Sequence, residues 1–239
     1  MAKKAPILSL KEITKKFGQE TVLDSVSFDL NPGEFAFLVG PSGSGKTTLF
    51  RLLSCEILPT SGEVKFLDED ISGRLSGRRI VWLRRQIGRV FQDLKLIADR
   101  TIRENIEISF DIFDFPHQSL EEVLEMVGLD KKAHLFPAQL SEGEKQRAGI
   151  ARALIYQPKV LLVDEPTSNL DPANSWQIIN LLKKINQEGT ALILATHDED
   201  IVDSLKMRVI EIDQGKIVRD EANSQYHPKP ASQNKNEVV

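Results

Sequence analysis

The chain of 239 residues contains a single cysteine, four histidines and only 6% aromatic residues. One cysteine excludes an intramolecular disulfide and fits a reducing compartment; Cys55 lies in an apolar helical pattern and reads as a packing residue. No apolar stretch approaches the roughly 20 residues that cross a bilayer, and no N-terminal run resembles a signal peptide. The sequence therefore predicts a cytoplasmic protein whose membrane contact runs through a partner. An excess of one charge is missing too: a formal net charge of −4 gives the average surface no attraction for nucleic acid or anionic lipid, so no nucleic-acid partner is expected. No internal repeat is evident. With 41% hydrophobic residues the chain can bury a substantial core as one α/β domain with an inserted lobe.

What is present begins with Gly40-Pro41-Ser42-Gly43-Ser44-Gly45-Lys46-Thr47, a glycine-rich loop followed by a lysine and a hydroxyl residue. Such a loop curls its backbone N–H groups around phosphate oxygens, Lys46 adds a mobile positive charge, and Thr47 offers an oxygen to magnesium. The flanks agree. Glu34 to Val39 reads as a buried strand entering the loop, and Thr48 to Leu53 as a helix leaving it. ATP or GTP binding is the prediction.

Alternation in Ile7 to Leu10 and Val26 to Leu30 predicts two strands forming an antiparallel flank, the second closed by the turn Asn31-Pro32-Gly33. Glu63 to Leu67 and Ile87 to Phe91 are further strands. From Leu94 to Tyr156 the pattern is mainly helical, with Ser119 and Glu122 fitting a capping box. Strand signals return in Val160 to Val163 and Ala191 to Leu194, separated by a helix that Asp171 caps, with Pro172 in its first turn and Gly189 after its end. That is a parallel crossover. Accordingly the expected division is one domain over residues 1–221, with a core of 1–93 and 157–221, a helical insertion at 94–156, and a polar tail at 222–239. Arg74, Arg78, Arg79, Arg84, Arg85 and Arg89 alternate with apolar residues and predict an amphipathic helix with a solvated basic face; contact with lipid headgroups or a membrane protein is the sharper alternative.

The apolar run Val160 to Val163 ends in Asp164 and Glu165, which such a strand projects at the carboxyl edge of the sheet beside the phosphate loop. Asp164 suits a magnesium ion, and Glu165 is placed to polarise an attacking water. Leu140-Ser141-Glu142-Gly143-Glu144-Lys145-Gln146-Arg147 then resembles the signature of the ABC ATPases. The resemblance runs from about Leu8 to Asp220 and implies a P-loop NTPase core of RecA type with an antiparallel β flank and an inserted α-helical subdomain. It implies ATP with Mg2+ as ligands and ATP hydrolysis as the activity. Residue by residue, it makes Phe17 the aromatic that stacks on adenine and Gln92 the loop glutamine that senses magnesium and the partner subunit. Around the triphosphate it sets Gly40, Pro41, Ser42, Gly43, Ser44, Gly45, Lys46, Thr47 and Thr48. Ser141, Gly143 and Glu144 become the signature contacts, Ser168 to Asp171 the loop across a dimer interface, and His197 the switch histidine. The implied catalytic set is Glu165, His197, Lys46 and Gln92; the implied metal set is Thr47, Gln92 and Asp164.

Glu142 departs from the common Leu-Ser-Gly-Gly pattern. At ~6 Å from a partner-bound phosphate, in an effective dielectric of ~20, its repulsion is about 3 kcal/mol against ~1 kcal/mol from the helix dipole, so it is expected to point away. Within the family, Asp99-Arg100-Thr101, Asn174 to Ile179, Met207 to Glu211 and Gly215 to Glu221 resemble the FtsE-type cell-division branch. That branch implies an ATP-dependent homodimer working with an FtsX-like polytopic membrane permease to control peptidoglycan hydrolases, peripheral on the cytoplasmic face of the bacterial inner membrane. Two alternatives remain: the ATPase of a lipoprotein-releasing or small-molecule exporter, and a nucleotide-gated scaffold with negligible turnover. An ABC ATPase acting on DNA is disfavoured by the acidic balance and by the lack of long heptad arms.

Overall fold

A computed structural model describes residues 5–108 and 118–227. Two sheets share the work. Strands β1 (Leu8–Phe17), β2 (Glu20–Leu30), β4 (Ser61–Phe66) and β5 (Glu69–Asp70) form an antiparallel sheet in the order β2-β1-β4-β5. The second sheet has six strands in the order β10-β9-β3-β8-β7-β6, built from β3 (Phe35–Val39), β6 (Ile87–Val90), β7 (Val160–Asp164), β8 (Ala191–Ala195), β9 (Arg208–Asp213) and β10 (Lys216–Glu221). Its strands run parallel except the edge strand β10. β1 and β2 extend well beyond the apolar segments that announced them; their added halves are largely exposed, each contributing one fully buried side chain, Ile13 and Leu23, too few to show as alternation.

Every residue of β3, β7 and β8 is buried, as expected where a parallel sheet is covered on both faces. The period of two still sorts the side chains. Ala36 and Leu38 face a core with Leu49, Phe50 and Leu53 of helix α1 (Lys46–Leu53) and the antiparallel sheet. Phe35, Phe37 and Val39 face a second core with Ile178, Ile179 and Leu182 of a later helix, Pro172–Gln187. Burying a side chain such as Phe50 contributes about 2–3 kcal/mol.

After β4, helix α2 (Gly77–Gln86) starts at Ser76, whose hydroxyl accepts from Arg79 N. Arg74, Arg78 and Arg84 are exposed, as expected of a solvated basic face, and Arg84 also donates to Cys55 O at 3.1 Å. Other arginines of the cluster depart from that face. Arg85 is buried over the Tyr156 ring, and Arg79 covers Trp82 while its Nε donates to Glu69 at 2.9 Å. Arg89, one strand further on, is only 7% exposed at its side chain, pairs with Glu56, and lies over Phe91. Periodicity could not foresee the burial of Arg85 and Arg89, because the Tyr156 ring and the Glu56 carboxylate that take up their guanidinium groups come from distant segments.

A third core gathers Ile102 and Ile106 of α3 (Ile102–Glu107), Val123 and Leu124 of α4 (Leu120–Met126), and Ala148, Ala151 and Ile155 at α5 (Glu142–Leu154). Thr101 and Glu104 form a full capping box on α3, and Ser119 caps α4 by accepting from Glu122 N. Residues 109–117 of the expected insertion lie outside the described residues. α5 belongs to two cores, since Ile150 and Leu154 pack into the second while Ala148 and Ala151 pack into the third. A division at residue 156 therefore cuts beside a helix that is shared with the main sheet. The remaining helices are α6, the Pro172–Gln187 segment capped by Asp171, and α7 (Glu199–Leu205) capped by Asp198.

The tail expected from residue 222 begins later. Ser224 is buried, and residues 224–226 are tied down by Arg219, whose guanidinium donates to Ser224 Oγ at 3.0 Å, Gln225 O at 2.8 Å and Tyr226 O at 2.5 Å. A polar sequence concealed the docking because its anchors are hydrogen bonds rather than apolar periodicity: Arg219 just upstream, and Asp203, whose Oδ1 accepts from Tyr226 N at 2.7 Å. Residues 228–239, with Pro228 and Pro230, lie outside the described residues.

Candidate nucleotide-binding and hydrolytic site

The C-terminal ends of β3, β8, β7 and β6 meet at one sheet edge, and all four strands lead into candidate site residues. β3 runs into the glycine loop, where Gly40 has φ 144° and a Cβ there would sit 2.0 Å from Ile212 O. Gly45 has φ 110°, with a Cβ 2.9 Å from Leu23. Only glycine satisfies both the left-handed backbone and the close approach. Lys46, at the first position of α1, is buried and donates from Nζ to Gly40 O at 2.7 Å and Pro41 O at 3.0 Å. The helix thus begins two residues earlier than Thr48. Ser44 Oγ is buried without a hydrogen-bond partner among the described residues.

From β7, Asp164 accepts a hydrogen bond from Thr47 Oγ1 at 3.3 Å. Burial pushes its carboxyl above the ordinary range, while Arg89 at 4.0 Å, Thr47 and Lys46 pull it back. Glu165, the next residue, adopts φ 49°, a left-handed backbone unusual for glutamate. Its amide donates to Ala195 O at 3.0 Å, and its carboxylate Oε2 stands 2.5 Å from Nδ1 of His197. His197 follows β8 and is 67% exposed at its side chain, whereas Glu165 is 13% exposed. A buried acid beside an exposed imidazole can accept a proton from a water and hold that water in place.

A cavity of about 530 Å³ joins these groups: it is walled by the loop from Gly40 to Gly43, Gly45 to Thr48, Gln92, Asp164, Glu165, His197, Val22 and Tyr226. Phe17 is not on this wall; it stands 43% exposed at the end of β1, with the Lys15 ammonium 5.0 Å from its ring centroid. Tyr226 was missed because its segment read as tail. Burial, reinforced by the carboxylates Glu199, Glu211 and Glu165, pushes its phenol pKa up. A carboxylate, a hydroxyl and the Gln92 amide are oxygen donors of the kind magnesium accepts, and the orphaned Ser44 hydroxyl adds a polar atom beside the glycine loop.

The signature lies elsewhere. Ser141 caps α5 in a reciprocal box, accepting from Glu144 N at 3.4 Å while Ser141 N donates to Glu144 at 3.0 Å. A hydrogen bond from Lys132, then that from Ser141 N, lowers the Glu144 pKa to about 2. Glu142 Oε1 pairs with Lys145 Nζ at 2.7 Å along its own helix. Gly143 faces Asn174, since a Cβ there would lie 3.2 Å from Asn174 Oδ1. Asp171 is occupied in capping α6, accepting from Asn174 N at 3.0 Å. None of Ser141, Gly143, Glu144 or Asp171 lines the phosphate-loop cavity of its own chain. A second cavity of about 680 Å³, between the main sheet and the helices, is lined by Glu142, Gln146, Ser168 and Asn169 and shares Gln92 and Glu165 with the first. The loop after Gln92 is pinned by the fully buried Asn105, which accepts from Ile97 N at 2.7 Å and donates to Thr101 O at 2.9 Å; no local pattern announces that role.

Comparison with known proteins agrees with this geometry. The family described as ABC transporter matches residues 23–168. The chain is 43% identical over 225 residues to the cell division ATP-binding protein FtsE of Streptococcus pneumoniae, covering 92% of this chain and 97% of that one. It is 40% identical to the Escherichia coli protein of the same name over 216 residues, 88% and 97% of the two chains. Among solved structures, the dimeric ATP-binding cassette MJ0796 in a post-hydrolysis state bound to ADP and Pi superposes with a TM-score of 0.80 at 34% identity, covering 92% of this chain and all of that one. A nucleotide-free cassette from an ABC transporter gives 0.81 at 25% identity, covering 92% of each chain. The chain belongs to the ABC transporter family, as one of its ATP-hydrolysing nucleotide-binding subunits.

Proposed function

We propose that two copies of this chain pair head to tail on ATP, each nucleotide lying between the Lys46 loop of one copy and the Ser141-to-Gly143 helix start of the other. The observation that supports this most directly is the separation within one chain. The loop, the acids and His197 share a cavity from which Ser141 and Gly143 are absent, although the N-terminus of α5 presents N–H groups suited to phosphate. Lys46 exchanges the carbonyls of Gly40 and Pro41 for phosphate oxygens. Glu165 takes a proton from water as the water oxygen bonds to the γ-phosphorus and the bond to the ADP oxygen breaks, and His197 holds that water in line. Magnesium, held through Thr47, Asp164 and Gln92, would supply neutralisation of phosphate charge when bound. Phe17 stacks on adenine from its exposed position. Loss of the bridging charge lets the dimer open, and Gln92, common to both cavities, relays that change towards the helices around α5.

The identity to FtsE proteins supports a cell-division role, with an FtsX-like polytopic permease as partner and peptidoglycan hydrolysis as the regulated process. Among the described residues no helix is long and apolar enough to cross a membrane, which fits a peripheral subunit at the cytoplasmic face. Mixing two inactive variants tests the shared site. Lys46→Ala spoils every phosphate loop and Ser141→Arg every signature, yet an equal mixture regains one intact site per heterodimer, about a quarter of the parent turnover under random pairing. Two silent variants that stay silent when mixed would show that each chain encloses its own nucleotide.

A further inference from the structure

The C-terminal segment is attached to the hydrolytic site. Tyr226 walls the same cavity as the phosphate loop, Glu165 and His197. Its backbone N–H donates to Asp203 Oδ1 of α7 at 2.7 Å, and its neighbour His227 stands 3.3 Å from Glu199 on the first turn of that helix. α7 is short, seven residues, and begins directly after His197 and its capping neighbour Asp198. From within, it is held by buried Ile201 and Val202; from outside, by this segment. The segment is in turn fixed by the Arg219 guanidinium, by Ser224 N donating to Met207 O at 3.0 Å, and by Ser224 Oγ donating to Glu221 at 2.9 Å. So dense a set of bonds on six residues of polar sequence has no purpose in a free tail.

We propose that residues 222–227 form a strap that clamps α7 against the sheet, with Tyr226 as a positioning residue holding His197 over the phosphate end of the pocket. The inference rests on the reading of Glu165 and His197 as the hydrolytic pair. ATP affinity resides in the Lys46 loop, which the strap does not hold, so the strap acts on turnover and leaves binding alone.

The test uses the full chain together with its membrane partner in detergent, measuring phosphate release and, separately, ATP affinity. Tyr226→Ala is expected to lower kcat about tenfold with the ATP dissociation constant changed less than about threefold. Tyr226→Ala keeps the backbone N–H and loses only the ring that walls the cavity and packs on the second core, so Tyr226→Phe, which keeps that ring, should recover at least half of the lost rate, and Asp203→Ala, which removes the acceptor on α7, should reproduce the loss. Hydrogen exchange should speed up at the amides of Ile201 and Val202 but not in α1. A kcat for both Tyr226→Ala and Asp203→Ala within about twofold of the parent, or a loss of affinity as large as the loss of rate, would overturn the strap. If the parent itself releases no more phosphate than Glu165→Gln, the hydrolytic reading fails with it; an active parent indifferent to both changes sinks the strap alone.

Discussion

Replacing Glu165 by glutamine isolates one property of the site. The side chain keeps its volume in a pocket where it is 13% exposed, and the left-handed backbone stays held by the amide bond to Ala195 O at 3.0 Å and by Ser168 Oγ donating to Glu165 O at 3.1 Å. Only the charge and the proton acceptor disappear. Loss of a positioned general base costs ~10²–10⁴ in rate, about 2.7–5.5 kcal/mol in the barrier. Binding should move the other way. Removing a carboxylate ~5 Å from the γ-phosphate, at an effective dielectric of ~20, relieves about 3 kcal/mol of repulsion per site, an upper bound because solvent and magnesium screen it. The expected outcome is phosphate release reduced at least a hundredfold at saturating ATP, with a dimer that persists through size exclusion with light scattering. Phosphate release within tenfold of the parent would remove Glu165 from the role, and a variant that no longer binds ATP would show that its carboxylate organises the pocket instead.

Glu142→Gly should change the ATP-dependent dimerisation constant by less than about tenfold, because the carboxylate is 60% exposed and already paired with Lys145; a larger rise in sedimentation equilibrium would mean that it opposes the partner's nucleotide. Gly40→Ala sets a Cβ 2.0 Å from Ile212 O at φ 144°, so ATP affinity in a fluorescent-nucleotide titration should fall at least about tenfold, whereas Gly73→Ala, with open space around it, should leave affinity unaltered. Glu144 has its pKa lowered from 4.5 to about 2, so the unfolded chain binds the extra proton between those values. The stability that Glu144 contributes is complete above pH 4.5 and is lost as pH falls towards 2; the acid-side slope of the urea midpoint should therefore flatten in Glu144→Gln. An unchanged slope would show that Glu144 binds its proton equally in the folded and unfolded chains, which overturns the lowered pKa.

The phosphate loop was legible because its chemistry is local: a buried strand, glycines at left-handed positions and a helix start all lie within Phe35 to Leu53. Asp164 and Glu165 were legible as the abrupt end of an apolar run, and the helix starts at Ser119, Ser141 and Asp171 as hydroxyls or a carboxylate ahead of apolar periodicity. Arg89, Asn105 and Tyr226 were not. Arg89 looks like part of a basic helix face but is buried between Glu56 and Asp164; Asn105 looks like a helix-surface residue yet pins the loop after Gln92. Arg89 and Tyr226 meet groups from segments far away in the chain, whereas Asn105 bonds the backbone of residues 97–101 through loop geometry that hydrophobic periodicity does not encode.

By itself the sequence determined what short-range sterics and periodicity control: which segments are buried strands, where helices begin, and where only glycine fits. The tertiary structure alone decided that Thr47 and Asp164, 117 residues apart, share a hydrogen bond, that α5 serves two cores, and that Tyr226 closes a cavity begun at Gly40. The physical reason is that strand order and the docking of a polar segment depend on long-range burial and on a few hydrogen bonds from side chains outside the segment, which leave almost no trace in the residues beside them.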